Sequence, residues 1–422
     1  MPEFQLILVA VLALYVAWNL GANDVANSMG TSVGSKALTL KQALIVAGVL
    51  EFIGAVAFSQ GVSATLTTKI VNPILFQDNP QLLLVGMVSV LLACGIWLQI
   101  ATRQGLPVAS SHAVVGAIAG FSSLAAGWSA VEWTQIGQIC LAWIVTPLGS
   151  GAIAALFYAI ARRGILNRTT PIASLQEWIP WLSSVLFALF GVIVFPTLFG
   201  RPFFAAVPLP SHTLALAAGG TAAIALSVAA WKGLEGTIMT GNTQPQNPPS
   251  QTVERILGRF QVTSACFVAF AHGSNDVGNA IAPLAAIVYI LQTQTVPLNP
   301  FPIPLWILGL GGIGIVLGLA VQGKNVISTV GERIIPLQPS SGFCAELATA
   351  TTILIASRLG FPVSTSHALV GAVVGIGLIQ SQTEIRSSTL QPIILAWAIT
   401  LPASALLCAL CFAILRLGVL GM

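Results

Sequence analysis

The sequence contains very few charged residues. Asp, Glu, Lys and Arg make up only 7% of its 422 residues, whereas soluble domains carry about 25%. This scarcity excludes an ordinary soluble globular protein. The chain also lacks a run of basic residues, a nucleotide-binding fingerprint and a recognisable pair of nucleophile and base. These absences argue against nucleic-acid binding, ATP hydrolysis and enzymatic catalysis.

The cysteines show no functional spacing either. Neither the spacing of metal ligands nor that of a secreted disulfide framework occurs among them. All six lie in apolar stretches: Cys94, Cys140, Cys266, Cys344, Cys408 and Cys411. We interpret them as small hydrophobic side chains and expect no cofactor.

Long apolar runs are abundant. Apolar residues make up 56% of the chain, and runs of roughly 20 residues are long enough to cross a bilayer as helices. The pattern predicts an all-α membrane protein with about twelve transmembrane helices. The candidate segments are residues 4–30, 42–62, 81–101, 106–127, 135–161, 180–199, 212–231, 260–290, 303–322, 341–357, 361–380 and 391–415. The segments at 106–127 and 361–380 are short and open with Pro107 and Pro362, so we expect broken or re-entrant helices there.

A polar motif occurs twice in these apolar segments. Gly-Ala-Asn-Asp-Val-Ala-Asn occupies residues 21–27, and Gly-Ser-Asn-Asp-Val-Gly-Asn occupies residues 273–279, an offset of 252 (275 − 23). We call these two segments the signatures. Polar groups are costly in lipid, and a duplicated set predicts a transporter with its site where two repeats meet.

A second motif supports the duplication. Residues 107–117 match residues 362–372 at eight of eleven positions, with an offset of 255, and Trp143 corresponds to Trp397. The sequence therefore predicts three regions: a first membrane repeat at 1–165, two intervening helices and a linker at 166–254, and a second repeat at 255–422. Five helices per repeat with two between them would give the repeats inverted topologies. With the N-terminus outside, 12 of the 16 basic residues would face the cytoplasm, as the positive-inside rule expects.

Four carboxylates fall within predicted membrane segments. Each needs a counter-charge, a proton or a metal cation, and these segments contain no Lys or Arg. We therefore predict a site for a coupling cation, either sodium or a proton, with amide oxygens as further ligands. The predicted residues are Asn23, Asp24, Glu51, Asn275, Asp276 and Glu346, with Asn27 and Asn279 in support. The alternative is that the Asn and Asp side chains cap broken helices.

Hydroxyl side chains follow each proline of the second motif. They are Ser110 and Ser111 in one repeat, and Ser364, Thr365 and Ser366 in the other. Hydroxyls and free N–H groups at a helix N-terminus favour an anion, so two such ends predict an oxyanion site without arginine. Alternatively, the hydroxyls only satisfy helix ends or join helices. His112 and His367 are adjacent to them and would either handle substrate or protons or orient the hydroxyl loop.

These motifs resemble those of the inorganic phosphate transporter (PiT) family. Residues 21–35 and 271–280, together with the two Pro-Val-x-x-Ser-His elements, are similar to the family's signature sequences, although Ser274 and Ala282 depart from them. The resemblance implies cation-coupled phosphate uptake by a dimeric secondary transporter with inverted repeats. By position, it assigns cation coupling to the two Asn-Asp pairs, Glu51 and Glu346. It assigns phosphate binding to Ser110, Ser111, Thr365 and Ser366.

The function predicted from the sequence is symport of inorganic phosphate with sodium or protons. The family also includes sulfate permeases, so a sulfate carrier on the same fold is the alternative, and an ion channel is a rival of another class. We expect a homodimer that contacts lipid and phosphate but no nucleic acid. Its expected location is the plasma membrane of a prokaryote.

Overall fold

The structure of the chain is a computed structural model. It describes residues 2–104, 108–200, 210–239, 249–333, 335–380 and 387–420. Nearly all of these residues are helical, and the described part of the chain contains no β-sheet. The predicted all-α fold is confirmed.

Fifteen α-helices make up the described part of the molecule. In chain order they are α1 Pro2–Gly34, α2 Leu40–Phe58, α3 Gln60–Thr68, α4 Pro80–Arg103, α5 Ser110–Ala126, α6 Trp133–Ala161, α7 Pro171–Ile193, α8 Phe195–Phe199, α9 Ser211–Met239, α10 Pro249–Asp276, α11 Gly278–Thr293, α12 Leu305–Arg333, α13 Pro339–Arg358, α14 Thr365–Gln380 and α15 Ser387–Leu420. Short 3₁₀ turns at Pro73–Phe76 and Trp128–Ala130 and a π-helical turn at Arg162–Leu166 join some of them.

Every segment predicted to cross the membrane contains a helix. Nine stretches of the described residues are long and apolar enough to span a bilayer, one of them combining α10 and α11. The short apolar helices α5 and α14, together with α13, account for the other three predicted segments. The lipid-facing character is visible in the side chains, because large apolar residues such as Leu148, Leu216 and Leu406 are about two-thirds exposed or more.

Two predicted segments differ in detail from the structure. The segment predicted at 260–290 lies within one candidate span, which consists of two helices that are interrupted at Val277, immediately after the second signature's Asp276. Pro362 lies in the loop before α14, and this helix begins at Thr365, among the hydroxyl residues that follow the proline. Its counterpart, Pro107, lies outside the described residues.

The first glycine of each signature permits a close helix crossing. A Cβ atom at Gly21 would overlap the backbone of Ile315 on α12, and one at Gly273 would overlap the backbone of Glu51 on α2. The two contacts are counterparts, since each joins a signature helix to a helix of the other half. Glycine is therefore required at both positions for packing, as in other close membrane helix pairs.

Glycines spaced four residues apart do the same for α5 and α14. Cβ atoms at Gly116 and Gly120 would overlap the backbone of α15, and Cβ atoms at Gly371 and Gly375 would overlap the backbone of α6. The offset between these pairs is again 255 (371 − 116). Hence the two helices that begin with hydroxyl residues are each packed against the last helix of the opposite repeat.

Candidate functional site

The two signatures meet in the interior of the protein. Asp24 and Asp276 are each only 1% exposed. Together with His272 they present ligand atoms that all lie within 4.8 Å of one another. The carboxylates predicted from the duplicated motif therefore form one centre.

His272 links this centre to a third carboxylate. Its Nδ1 lies 3.1 Å from Oε1 of Glu51, and its Nε2 lies 3.1 Å from Oδ2 of Asp276. All three side chains are buried. We did not predict a role for His272, although its position four residues before Asp276 places both on one face of α10. The duplicated motif does not point to His272, because the matching position in the first repeat is Leu20 (272 − 252).

The second asparagine of each signature contacts a hydroxyl of the opposite repeat. Nδ2 of Asn27 donates to Oγ1 of Thr365 at 3.4 Å, and Nδ2 of Asn279 donates to Oγ of Ser110 at 3.2 Å. Thr365 in turn donates to Oδ2 of Asp276 at 2.9 Å. Because Ser110 and Thr365 begin α5 and α14, these bonds hold both helix N-termini beside the acidic centre.

The first asparagine of each signature holds the segment that leads into those helices. Nδ2 of Asn23 donates to Oγ1 of Thr102 at 3.2 Å, and Nδ2 of Asn275 donates to Oγ of Ser357 at 2.9 Å. Asn275 also accepts a hydrogen bond from the backbone N–H of Val363. These contacts make Asn275 a positioning residue. Its amide oxygen already accepts a hydrogen bond and therefore has little capacity left to bind a cation.

The predicted hydroxyls lie in or just before the first turns of α5 and α14. The hydroxyls of Ser364 and Ser366 lie 2.8 Å apart, and Ser364 caps α14 by accepting the backbone N–H of His367. On α5, the Ser111 hydroxyl is buried and forms no hydrogen bond. Capping therefore explains Ser364, but it leaves Ser111 and the remaining first-turn N–H groups available to a ligand.

The two histidines that the sequence singled out lie side by side. The ring centroids of His112 and His367 are 4.8 Å apart. Nδ1 of His112 is 3.2 Å from the carbonyl oxygen of Trp397, and Nδ1 of His367 is 3.1 Å from that of Trp143. Both rings are buried and bonded across the repeats, so the starts of α5 and α14 adjoin each other.

Several buried oxygens of the centre have no hydrogen-bond partner. They are Oδ2 of Asp24, Oδ1 of Asn27, Oε2 of Glu51, Oδ1 of Asp276 and Oδ1 of Asn279. Carboxylate and amide oxygens are the ligands that hard cations prefer. These oxygens therefore fit a hard cation such as sodium. Within the described residues, no lysine or arginine forms an ion pair with these carboxylates.

Glu346 lies apart from this centre. Its Oε1 accepts hydrogen bonds from Thr31, Ser32 and Gln261, at 2.7, 2.5 and 3.1 Å, and its Oε2 accepts one from Ser264 at 2.6 Å. Thr31 is seven residues from Asp24, about 10 Å along α1. The structure therefore does not bring Glu346 to the predicted cation ligands Asp24, Glu51 and Asp276.

A polar stripe along α1 connects the acidic centre with the Glu346 site. Asp24, Asn27, Ser28, Thr31 and Ser32 recur at helical spacing, and Ser28 donates to Oε1 of Glu51 at 2.8 Å. Sequence reasoning did not assign roles to Ser28, Thr31, Ser32, Gln261 or Ser264. Polar residues spaced three and four apart in an otherwise apolar helix were the signal that could have identified those on α1.

Comparisons with known proteins agree with the architecture and the motifs. The profile of the family described as "Phosphate transporter family" matches residues 20–408. A Thermococcus kodakarensis protein provisionally named a phosphate permease is 38% identical over 413 residues, which cover 98% of both chains. The Arabidopsis thaliana protein named inorganic phosphate transporter 2-1, chloroplastic, is 37% identical over 417 residues, or 94% of this chain and 70% of that one.

A solved structure has the same fold. It is described as a sodium-dependent phosphate transporter and is similar to this chain with a TM-score of 0.88 and 35% sequence identity. The match covers 98% of this chain and 99% of the other. With the family profile matched across nearly the whole sequence and the fold shared throughout, this chain belongs to the phosphate transporter family.

Proposed function

We propose that this integral membrane protein is a secondary transporter that moves inorganic phosphate together with sodium ions. The observation that carries the proposal is the buried acidic centre, whose unpartnered oxygens adjoin two helix N-termini. The names of the similar proteins supply the substrate, and that of the similar structure favours sodium over protons. None of the proteins compared above is named for sulfate, so we do not retain the sulfate alternative.

The charge of the centre supports coupling to cations. Asp24, Glu51 and Asp276 together would carry three negative charges, whereas His272 can carry at most one positive charge. At least two negative charges then need compensation in a region that excludes water. Two sodium ions bound at Asp24, Asp276 and the amide oxygens of Asn27 and Asn279 would supply it, with Glu51 held by His272 and Ser28.

The anion would bind at the N-termini of α5 and α14. Their first-turn N–H groups and the side chains of Ser110, Ser111, Ser364, Thr365 and Ser366 are donors of the kind that hold phosphate oxygens. An anion beside uncompensated carboxylates is repelled, so cations would bind first and phosphate second. This order makes phosphate affinity depend on sodium, which is thermodynamic coupling between the two sites.

The test is uptake of radiolabelled phosphate into proteoliposomes that contain the purified protein. An inward sodium gradient without a proton gradient should drive uptake, and a proton gradient in sodium-free buffer should not. Uptake driven by protons alone would replace sodium with protons as the coupling ion. No phosphate uptake under either gradient, with labelled sulfate accumulating instead, would contradict the proposed substrate. The predicted homodimer and plasma-membrane location remain proposals.

A further inference from the structure

The helix α7 lies in the intervening region, for which the duplicated motifs predict no role. It packs on the helix that carries the second signature. The ring of Phe190 stacks on Phe267 of α10 with centroids 4.0 Å apart, and it meets Phe270 edge to face at 5.3 Å. Phe270 precedes His272 by two residues, so α7 contacts α10 within one turn of the acidic centre.

A hydrogen bond from a charged donor joins the same helix to α13. Nη1 of Arg358, at the end of α13, donates to the carbonyl oxygen of Ile193 at 2.7 Å. Ile193 is the last residue of α7, where the carbonyl groups have no partner within the helix and the helix dipole favours a cation. A bond with an ionised donor is stronger than one between neutral groups. Hence α7 holds the end of α13 as well as α10.

The loop between α13 and α14 is held from its other side by the second signature. Asn275 donates to the hydroxyl of Ser357 at 2.9 Å and forms two further hydrogen bonds with the backbone of the loop. At the far end of the loop, Thr365 begins α14 and donates to Asp276. The loop is therefore fixed between α7, through Arg358, and the signature.

The first repeat has a matching arginine without this link. Arg103 corresponds to Arg358 (358 − 255), and it too follows a hydroxyl residue that accepts a hydrogen bond from a signature asparagine. Both arginines are exposed, but within the part of the chain that the structure describes, Arg103 forms no hydrogen bond or ion pair. The position that matches Phe267 is Tyr15 (267 − 252), which is 38% exposed, whereas Phe267 is 8% exposed. The support from α7 therefore distinguishes the second half of the site from the first.

We propose that Arg358 is a positioning residue through which α7 fixes the second half of the site, so that sodium-dependent phosphate binding depends on this link. This inference rests on the proposed function. Without the bond to α7, the end of α13 would be free to shift, and Ser357 would shift with it. Asn275 would then lose its fixed partner, and the neighbouring carboxylate of Asp276 would lose its fixed direction. Arg358 thus acts through these residues and not by contact with either ion.

Two substitutions at Arg358 and one at its counterpart separate the bond from the charge. Arg358→Met keeps much of the length of the side chain and removes every donor, whereas Arg358→Lys retains a positive charge and an N–H donor. Arg103→Met is the matched control, because it removes an exposed arginine from the corresponding position of the first repeat. The readout is equilibrium binding of labelled phosphate to each purified protein as a function of sodium concentration, together with the thermal unfolding midpoint.

The sodium concentration for half-maximal phosphate binding should rise about 3- to 10-fold in Arg358→Met, as expected for the loss of one hydrogen bond. It should stay within about twofold of the wild type in Arg358→Lys and in Arg103→Met. Ser357→Ala removes the next link in the same chain of contacts. Its effect on the sodium requirement and that of Arg358→Met should therefore not add in the double variant.

An unchanged sodium requirement in Arg358→Met would overturn the inference, even if the unfolding midpoint fell, because Arg358 would then only stabilise the fold. An equal shift in Arg103→Met, or full additivity of Arg358→Met with Ser357→Ala, would overturn it as well. If Arg358→Met does not fold, Arg358→Gln takes its place in the same comparisons. A wild-type protein that binds no phosphate at any sodium concentration would instead contradict the proposed function.

Discussion

Two carboxylate sites in this molecule are equally buried but differently bonded. Glu346 accepts four hydrogen bonds, from two helices other than its own, and neither of its oxygens is left over. In the centre around Asp24 and Asp276, each carboxylate keeps a buried oxygen without a partner. A satisfied buried group needs no further partner, whereas an unsatisfied one requires an explanation, and a bound ligand is one such explanation. We therefore propose that the Glu346 site stabilises the fold and that the centre binds the cation.

The largest effect should follow from removing charge at the centre. Asp24→Asn or Asp276→Asn should reduce sodium-driven phosphate uptake at least about 100-fold, because each removes a full negative charge from a buried cation site. The amide has nearly the same shape, so the protein should remain folded. Uptake into proteoliposomes and the thermal unfolding midpoint measure the two properties.

Glu177→Gln is the matched control for this experiment, since Glu177 is an exposed acid on α7. It should transport at the wild-type rate. Full uptake by both aspartate variants at equal protein levels would refute the assignment of the centre.

Substitution of Glu346 should affect transport less, and stability more, than substitution of either aspartate. Glu346→Gln replaces an acceptor for four donors with an amide that places an NH₂ group among them. We expect a loss of about 1–3 kcal/mol in unfolding free energy, because buried donors lose their acceptor. The sodium concentration for half-maximal uptake should change less than about threefold. Weakened sodium dependence with an unchanged unfolding midpoint would show that Glu346 belongs with the cation ligands after all.

The finest comparison uses one hydroxyl from each site. Ser264→Ala removes a 2.6 Å bond to Glu346, and Ser28→Ala removes a 2.8 Å bond to Glu51. Ser264→Ala should lower stability by about 1–2 kcal/mol without altering sodium dependence. Ser28→Ala should raise the sodium requirement by severalfold, because Glu51 would lose one of its two supports. Uptake against sodium concentration and thermal unfolding measure the two effects. The same change in both variants would contradict the distinction between the Glu346 site and the centre.

The sequence was sufficient for the fold and for the symmetric part of the site. Apolar runs predicted the helices, and the duplicated motifs predicted that Asp24 would meet Asp276 and that the hydroxyls of α5 and α14 would adjoin them. The break at Val277 was not predictable, since the first signature continues through a single helix with nearly the same residues.

The asymmetric part of the site could not be predicted from the sequence and was seen only in the structure. The positions that correspond to His272 and Glu346 in the first repeat are Leu20 (272 − 252) and Leu91 (346 − 255). Reasoning from duplication could therefore not detect that His272 joins Glu51 to Asp276. It also could not distinguish the saturated carboxylate of Glu346 from the unsatisfied ones, because hydrogen-bond partners come from helices distant in sequence.

The glycine contacts constrain how such a protein can move and how it can be divided. Those described above always join one half of the chain to the other: α1 to α12, α2 to α10, α5 to α15 and α6 to α14. The halves are interlaced, so no hinge can separate residues 1–165 from residues 255–422 without disrupting all four crossings. Any mobile unit must therefore contain helices from both halves. A polypeptide carrying either half alone would present grooves shaped for a missing backbone, and only co-expression with the other half would fill them.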